Sequence, residues 1–360
     1  MPAILKATTR DAIAILQRCL EAGLVPFIQG PPGMGKSSIA LLVAELLNLH
    51  PIDHRISTGD ATDATGFPRP VTVRPGEERT RFIPLELFPL EGDPIPKGRD
   101  GFLLFLDEFN AAPKQVQAAF YKLVLDKKVG PRSLHPNTAI ILAGNLSTDK
   151  AVVNSLSTAM QSRLVHIELV VNHQIWYEDV ALPNEYDPRI TTFLAQYPSL
   201  LMDFDPDHKE KTFCCPRTWE FVNKAITSWN EDENEELVRT PLPIDDTMRI
   251  LLSGAITSGV AMQFSDYAKI CDSVVKPAEI LKDPFAAPLP VDATTHYATI
   301  GQMLEKLDNV TFPKFAMYSD RFPQSFRILS YRMMIARKKD LPSHKDFSRF
   351  VAPIADELKD

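Results

Sequence analysis

The 360-residue sequence contains no run of apolar residues long enough to span a membrane. The segment from Met1 to Arg10 also has no apolar stretch of signal-peptide length, and we find no internal repeat and no low-complexity tract. These absences argue against a membrane protein and against a repeat architecture. We therefore expect a protein of the cytoplasm, which would be a host cytoplasm if the source is viral.

The sequence also has few cysteines and no excess of positive charge. The four cysteines, Cys19, Cys214, Cys215 and Cys271, show no C-x-x-C spacing, which predicts reduced and partly buried thiols. The alternative for the adjacent residues Cys214 and Cys215 is a strained vicinal disulfide. The net charge of −7 gives no electrostatic reason for coating nucleic acid or an anionic membrane, although 39 basic residues would allow a local basic pore.

A complete phosphate-binding pattern stands near the start of the chain. It has the form G-x-x-x-x-G-K-[ST] and reads Gly30-Pro31-Pro32-Gly33-Met34-Gly35-Lys36-Ser37. The apolar run 24–28 precedes it as a predicted strand, and residues 37–47 follow as a predicted helix that begins with Ser37 and Ser38. Residues without a bulky Cβ let the backbone N–H groups wrap a polyphosphate. Lys36 would reach the β- and γ-phosphates, and the Ser37 hydroxyl would bind Mg²⁺.

Two acids follow the next strongly apolar strand, which is predicted over 102–106. Asp107 can hold the Mg²⁺ shell, and Glu108 can orient and deprotonate an attacking water. The alternative is a helix N-terminus that carries acids because the helix dipole favours them. The phosphate loop upstream favours the catalytic interpretation.

Three further polar residues are candidates for the same site. Asn145 follows the predicted strand 139–143, where an amide could sense a γ-phosphate or its attacking water, although Asn after Gly is also an ordinary turn. Arg163 either caps a helix or reaches the phosphate of a neighbouring subunit. Arg217, near the start of a later helix, is either a surface residue or a contact to bound nucleotide.

The order of the predicted elements indicates the architecture. Five short strands alternate with helices up to residue 172, which favours a parallel sheet covered on both faces. Residues 57–100 contain seven prolines and are predicted to form a surface insertion. Helical periodicity prevails from residue 173 onward, with helices predicted over 174–180, 187–197, 217–229 and 245–262. We therefore predict an α/β nucleotide-binding domain over 1–172, a smaller helical domain over 173–280 and a C-terminal helical extension over 281–360.

Together these motifs resemble AAA+ ATPases of the MoxR-like, dynein-related branch, which includes CbbQ-, NorQ- and GvpN-like proteins. The resemblance rests on the phosphate loop and on four further stretches, 106–110, 143–145, 159–164 and 213–219. It implies that Lys36 and Ser37 are the Walker A pair and that Asp107 and Glu108 are the Walker B pair. It further implies that Asn145 is sensor 1, Arg163 the arginine finger and Arg217 sensor 2.

The resemblance also implies a fold and an activity. The fold would be a P-loop NTPase of three α/β/α layers with a five-stranded parallel sheet, an all-helical lid and a C-terminal helical segment. The cofactors would be ATP and Mg²⁺. ATP would be hydrolysed in a ring of copies of this chain, with a hexamer expected. The partner would be a client or adaptor protein, for example one with a von Willebrand factor A-like domain. Residues 59–66 resemble the second-helix insert of that branch, or are a mobile Asp/Gly loop.

Two other function classes stay open at this point. One is a nucleotide-gated interaction module, in which ATP holds an assembly together without significant turnover. The other is a nucleic-acid motor such as a clamp or helicase loader, against which the acidic balance of the chain argues.

Overall fold

The computed structural model describes residues 5–149, 153–231 and 237–358. The remaining residues fall within the three predicted domains and lie outside the described part of the chain. The chain divides into two compact units. The first extends to Asn172 and includes Phe204–His208, and the second comprises His173–Asp203 and the residues from Lys209 onward. Apart from Phe204–His208, the predicted lid, 173–280, and the predicted extension, 281–360, thus lie in one unit.

The first unit is built on a parallel sheet of six strands. Its described strands are β1 Lys6–Ala7, β2 Pro26–Gln29, β3 Leu49–Arg55, β4 Phe67–Arg74, β5 Glu77–Ile83, β6 Gly101–Asp107, β7 Lys128–Val129, β8 Arg132–Ser133, β9 Thr138–Gly144 and β10 Val165–Leu169. The sheet has the order β1-β10-β2-β9-β6-β3, and each neighbouring pair is parallel. The predicted α/β class is confirmed, but the predicted count of five strands is wrong. The sixth strand, β1, has two residues, which is too short to leave a periodic pattern.

Helices cover both faces of this sheet. The described helices of the first unit are α1 Thr9–Glu21, α2 Lys36–Leu46, α3 Ala61–Thr65, α4 Lys114–Asp126 and α5 Thr158–Gln161, with 3₁₀ turns at Ile56–Thr58, Phe109–Ala111 and Ser147–Asp149. On β6, Leu103 and Phe105 pack in the core beneath α1 and α2, whereas Leu104 and Leu106 pack in the core beneath α4. All of β6 is therefore buried, as its continuous apolar run requires. The result is the predicted three-layer α/β/α arrangement.

The proline-rich segment 57–100 forms a surface insertion, as predicted. Its hairpin, β4 with β5, is a separate two-stranded sheet that is largely exposed. Residues 59–66 form no irregular loop. They contain α3, which Asp60 caps and which packs on α4 with Ala64 buried.

The second unit is mainly helical. Its described helices are α6 His173–Trp176, α7 Pro188–Gln196, α8 Pro216–Ala225, α9 Asp246–Ala255, α10 Ser258–Ser273, α11 Pro277–Lys282, α12 Ala293–Glu305, α13 Phe312–Ser319, α14 Gln324–Arg337 and α15 Phe347–Val351. A π-helical turn over Tyr177–Ala181 follows α6, and 3₁₀ turns occur at Pro198–Leu201, Leu341–Ser343 and Ala352–Ile354. The long helix predicted over 245–262 is two helices, because Ile256 and Thr257 adopt extended backbone conformations.

The prediction of an all-helical lid is wrong, because the second unit contains a hairpin of β11 Thr227–Glu231 and β12 Leu237–Pro241. The helix predicted over 217–229 ends at Ala225, and β11 begins two residues later. Ion pairs of a buried arginine connect the hairpin to the rest of the second unit. Arg239, 7% exposed at its side chain, donates to the carboxylates of Asp187 and Glu305. Pairing buried charges in this way avoids the large cost of an unpaired one.

Three helices of the second unit meet at Thr192. Its hydroxyl, on α7, donates to the Pro188 carbonyl at 2.6 Å and accepts from Tyr267 Oη of α10 at 2.7 Å. Gly301 of α12 packs so closely that a Cβ there would lie 3.0 Å from Thr192 Oγ1. This contact places α12, from the predicted extension, directly against helices of the predicted lid.

All four cysteines are buried and free, which confirms the prediction of reduced thiols and rules out a Cys214–Cys215 disulfide in this structure. Within the described ranges, none of the helices is both long enough and apolar enough to cross a membrane.

Candidate nucleotide-binding site

The phosphate loop lies between β2 and α2, where the sequence predicted it. Gly33 and Gly35 have φ angles of 80° and 92°, a region that residues with a Cβ rarely adopt. A Cβ on Gly30 would lie 2.9 Å from Met34 Sδ, so the loop closes tightly on itself. No described side chain caps the N-terminus of α2, whose first N–H groups are therefore suited to an anion.

Lys36 connects this loop to the neighbouring strand end. Its Nζ donates to the carbonyls of Gly30 at 2.6 Å and Pro31 at 3.0 Å, and to Asn145 Oδ1 at 3.3 Å. The side chain is part-buried at all three contacts. The ammonium therefore lies at the mouth of the loop, beside the amide predicted to act as sensor 1.

Ser37 and Asp107 are brought together as a magnesium site requires. Ser37 Oγ donates to Asp107 Oδ2 at 3.2 Å, and Asp107 is 7% exposed. Partial burial raises the pKa of Asp53 on β3, and the charge of Asp107 adds to this effect. Oxygen ligands and excess negative charge suit Mg²⁺. The described residues contain no group of three or more His, Cys, Asp or Glu ligands, so the ion would take its other ligands from phosphate and water.

Glu108 is oriented by its backbone and by two partners, one at the end of β3 and one in the 3₁₀ turn that follows it. Its φ of 53° is left-handed, which costs a non-glycine residue about 1–2 kcal/mol. Its carboxylate accepts a hydrogen bond from Ser57 Oγ, and Arg55 Nε lies 3.6 Å from its other oxygen. β3 pairs with β6 in a register that sets Arg55 opposite Asp107. Sequence reasoning missed Arg55 and Ser57, whose only signal was their position near the end of a short strand predicted over 52–56, the first within it and the second just after it.

Asn145 is hydrogen-bonded through its main chain as well as through its side-chain contact with Lys36. The buried side chain of Asn110 accepts from Asn145 N at 3.1 Å and donates to Asn145 O at 2.7 Å. Asn110 was not predicted as a site residue. Four residues beyond Asn145, Asp149 accepts from Leu146 N at 2.9 Å. Burial raises the pKa of Asp149, an effect that this hydrogen bond and the charge of Lys36 oppose.

The two predicted arginines are arranged differently from this cluster. Arg163 is exposed just after α5, and its Nη1 donates to the Ala159 carbonyl at 3.0 Å. Arg217 is exposed as the second residue of α8, in the second unit. Their helix-terminal positions are as expected, but their predicted roles toward a nucleotide stay predictions.

Comparison with known proteins gives a match to one family model and similarity to many solved structures. Residues 26–164 match the family profile of the AAA domain (dynein-related subfamily). A Cytophaga hutchinsonii protein provisionally assigned as an ATPase shares 13% identity, with 97% of this chain and 89% of that chain covered and a TM-score of 0.35. A RuvB mutant of Thermotoga maritima shares 15% identity over 86% and 91% of the two chains, with a TM-score of 0.38. Such low TM-scores carry no structural inference, and curated proteins give no significant match.

The family match spans the phosphate loop, the two acids, Asn145 and Arg163. Within that span the structure brings Lys36, Ser37, Asp107 and Asn145 to one edge of a parallel sheet. Residues 26–164 therefore resemble the AAA domain (dynein-related subfamily) in sequence profile, and they hold the motif residues of that match close together.

Proposed function

We propose that the protein is a Mg²⁺-dependent ATPase that hydrolyses ATP to ADP and phosphate as a MoxR-like AAA+ ring motor. The observation that carries the proposal is the cluster at the sheet edge. Lys36 lies within hydrogen-bond distance of Asn145, Ser37 within that distance of Asp107, and Glu108 follows Asp107 directly. Each residue type is the one that phosphoryl transfer to water needs at its position.

The residues of this cluster have separate tasks in the proposed reaction. The Lys36 ammonium would exchange its contacts with the Gly30 and Pro31 carbonyls for phosphate oxygens. Ser37 and Asp107 would hold Mg²⁺, which neutralises phosphate charge when it is bound. The Glu108 carboxylate would take a proton from the attacking water, which Asn145 would help to orient.

We further propose that the site is completed by a second copy of the chain. Arg163 is exposed on the surface of the first unit, where its guanidinium is available to a neighbouring molecule. A guanidinium that reaches the γ-phosphate of the adjacent subunit would stabilise transition-state charge and make turnover depend on assembly. A closed ring, with a hexamer expected, satisfies this head-to-tail contact for every subunit. Arg217 would link the nucleotide to the second unit.

The proposed consequence of turnover is the remodelling of a partner protein. Support for this step comes from the sequence motifs that resemble MoxR-like proteins, which favour a client or adaptor with a von Willebrand factor A-like domain. The net charge of −7 favours a protein partner over nucleic acid. Stimulation of phosphate release by single-stranded or duplex DNA would instead support a nucleic-acid motor.

The test is the substitution Glu108→Gln, which keeps the shape of the side chain and removes its basicity. We expect ATP binding within about threefold of wild type and a loss of phosphate release of about 10³-fold or more, since general-base catalysis and water orientation are both lost. Glu91→Gln, at an exposed glutamate of the same unit, is the matched control and should have wild-type activity. Normal turnover by the Glu108 variant would contradict the proposed role.

The same variant identifies the partner. With ATP and Mg²⁺ present it should stay in the nucleotide-bound state and retain a client in a pull-down, whereas wild type should release it. Measurement of phosphate release against protein concentration separates a motor from a nucleotide-gated module. A site shared between subunits gives specific activity that rises steeply with assembly, and a module without turnover gives none.

A further inference from the structure

Asn110 forms the closest side-chain contact to the main chain of Asn145. Its Oδ1 accepts from Asn145 N at 3.1 Å, and its Nδ2 donates to Asn145 O at 2.7 Å. Asn110 is 3% exposed, and both bonds are part-buried. A side-chain amide can accept and donate at once, which fits the main-chain donor and acceptor of one residue.

The neighbouring glycine shows how closely the two segments approach. A Cβ on Gly144 would lie 2.2 Å from Asn110 Oδ1 and 2.7 Å from its Cγ. Only glycine therefore allows the Asn110 amide to reach the end of β9. Asn110 itself lies in the 3₁₀ turn that follows Glu108 directly. One buried side chain thus connects the turn after the acid pair to the residue whose own side chain contacts Lys36.

A second set of bonds continues from Asn110 toward Arg163. Asn154 N donates to the Asn110 carbonyl at 2.7 Å, and Asn154 Nδ2 donates to the Ala112 carbonyl at 3.0 Å. Buried Gln117 of α4 donates to the same Ala112 carbonyl at 3.0 Å. Asn154 lies three residues before Ser157, which caps α5. The turn after the acids therefore also anchors the segment that leads to Arg163.

We propose that Asn110 is a positioning residue for the ATPase reaction, acting through Asn145. It fixes the main chain of Asn145 so that its side-chain amide stays beside Lys36. Through its own carbonyl and Asn154, it links this amide to the segment that carries Arg163. This inference rests on the proposed function, since it assigns Asn110 a role in the same site. Asn110 touches no reacting atom in this arrangement, so its effect must appear through Asn145.

The test is a double-mutant cycle with Asn110→Ala and Asn145→Ala, measured by steady-state phosphate release and by binding of a fluorescent ATP analogue. We expect Asn110→Ala to lower kcat about 10- to 100-fold while analogue affinity stays within about threefold. Because both substitutions remove one function, the double variant should be no slower than Asn145→Ala alone. Losses that multiply, or a wild-type kcat for Asn110→Ala, would overturn the proposal.

Asn110→Asp provides a second variant that keeps the side-chain shape. It retains an oxygen facing Asn145 N and loses the donor to Asn145 O, so it should also lower kcat with little effect on analogue affinity. Asn137→Ala is the matched control. Asn137 is an exposed asparagine of the same unit whose Nδ2 donates to the Asp100 carbonyl, and its variant should keep wild-type kcat.

Hydrogen exchange separates this inference from the proposed function because it needs no turnover. In wild type the Asn145 amide is protected by Asn110, and Asn110→Ala should speed its exchange at least tenfold while the melting temperature changes little. Unchanged exchange would overturn the positioning role. Absence of phosphate release by wild type would reject the ATPase proposal, and the exchange result would still decide whether Asn110 holds Asn145.

Discussion

The cluster at the sheet edge and the two exposed arginines differ in how far their side chains already contact one another. Lys36 contacts Asn145, and Ser37 contacts Asp107, within a single unit. Arg163 and Arg217 lie exposed at helix ends. In the proposed reaction the cluster would bind phosphate and metal, whereas Arg163 would act on the nucleotide of a neighbouring molecule. Binding and turnover should therefore be separable by mutation.

The largest effect should follow from substitution within the cluster. Lys36→Ala removes the ammonium that spans the phosphate loop, so we expect both nucleotide binding and phosphate release to be lost. Titration with a fluorescent ATP analogue and a phosphate-release assay measure the two losses. Lys114→Ala, at an exposed lysine on α4, is the control. Tight binding by the Lys36 variant would mean that the loop amides suffice.

A nearly equal loss of turnover, with binding retained, should follow from Arg163→Ala. An arginine supplied to a transferring phosphoryl group contributes about 10³- to 10⁵-fold to the rate. We expect kcat to fall by about 10³-fold and analogue affinity to change less than about threefold. Arg18→Ala, at an exposed arginine on α1, should have no such effect. An Arg163 variant with normal kcat would leave the residue as a helix cap alone.

Arg217→Ala should have a smaller effect on both quantities. A hydrogen bond to a charged group contributes about 1.5–3 kcal/mol, which corresponds to about 10- to 100-fold in affinity or rate. Lys224→Ala, on the same helix, controls for changes in the second unit. If Arg217→Ala changed neither affinity nor kcat, the second unit would contribute no cation to the nucleotide.

Much of this arrangement could be predicted from sequence because the phosphate loop and the acid pair are each contiguous. Their glycines, lysine and acids adopt their roles through local backbone geometry, and apolar strands place them at the same edge. Ser57, Arg55 and Asn110 could not be predicted. Each reaches its partner through strand register or a close approach, which no local pattern encodes. The β11–β12 hairpin was missed because the predicted helical pattern ran on past the point where α8 ends.

The last prediction concerns stability rather than turnover and involves a largely buried base in the second unit. Burial lowers the pKa of His173 to about 4, below its value of 6.5 without burial. The unfolded chain thus binds a proton more readily, so stability is full above about pH 6.5 and is lost as the pH falls toward 4. This lowering of the pKa corresponds to about 3 kcal/mol of stability.

Urea unfolding of wild type and His173→Gln at pH 7.5 and pH 4.5 measures this dependence. The variant should be less sensitive to acid by most of that amount, because glutamine does not titrate. An equal loss of stability in both proteins would place the acid sensitivity elsewhere.

The most direct test of the shared site mixes two inactive variants. Arg163→Ala keeps an intact cluster, and Lys36→Ala keeps an intact Arg163, so a mixed ring contains interfaces at which one subunit supplies the cluster and its neighbour supplies the guanidinium. We predict that phosphate release reappears on mixing and is greatest at intermediate ratios. No recovery at any ratio, with mixed assemblies demonstrated, would contradict a nucleotide site formed by two copies of the chain.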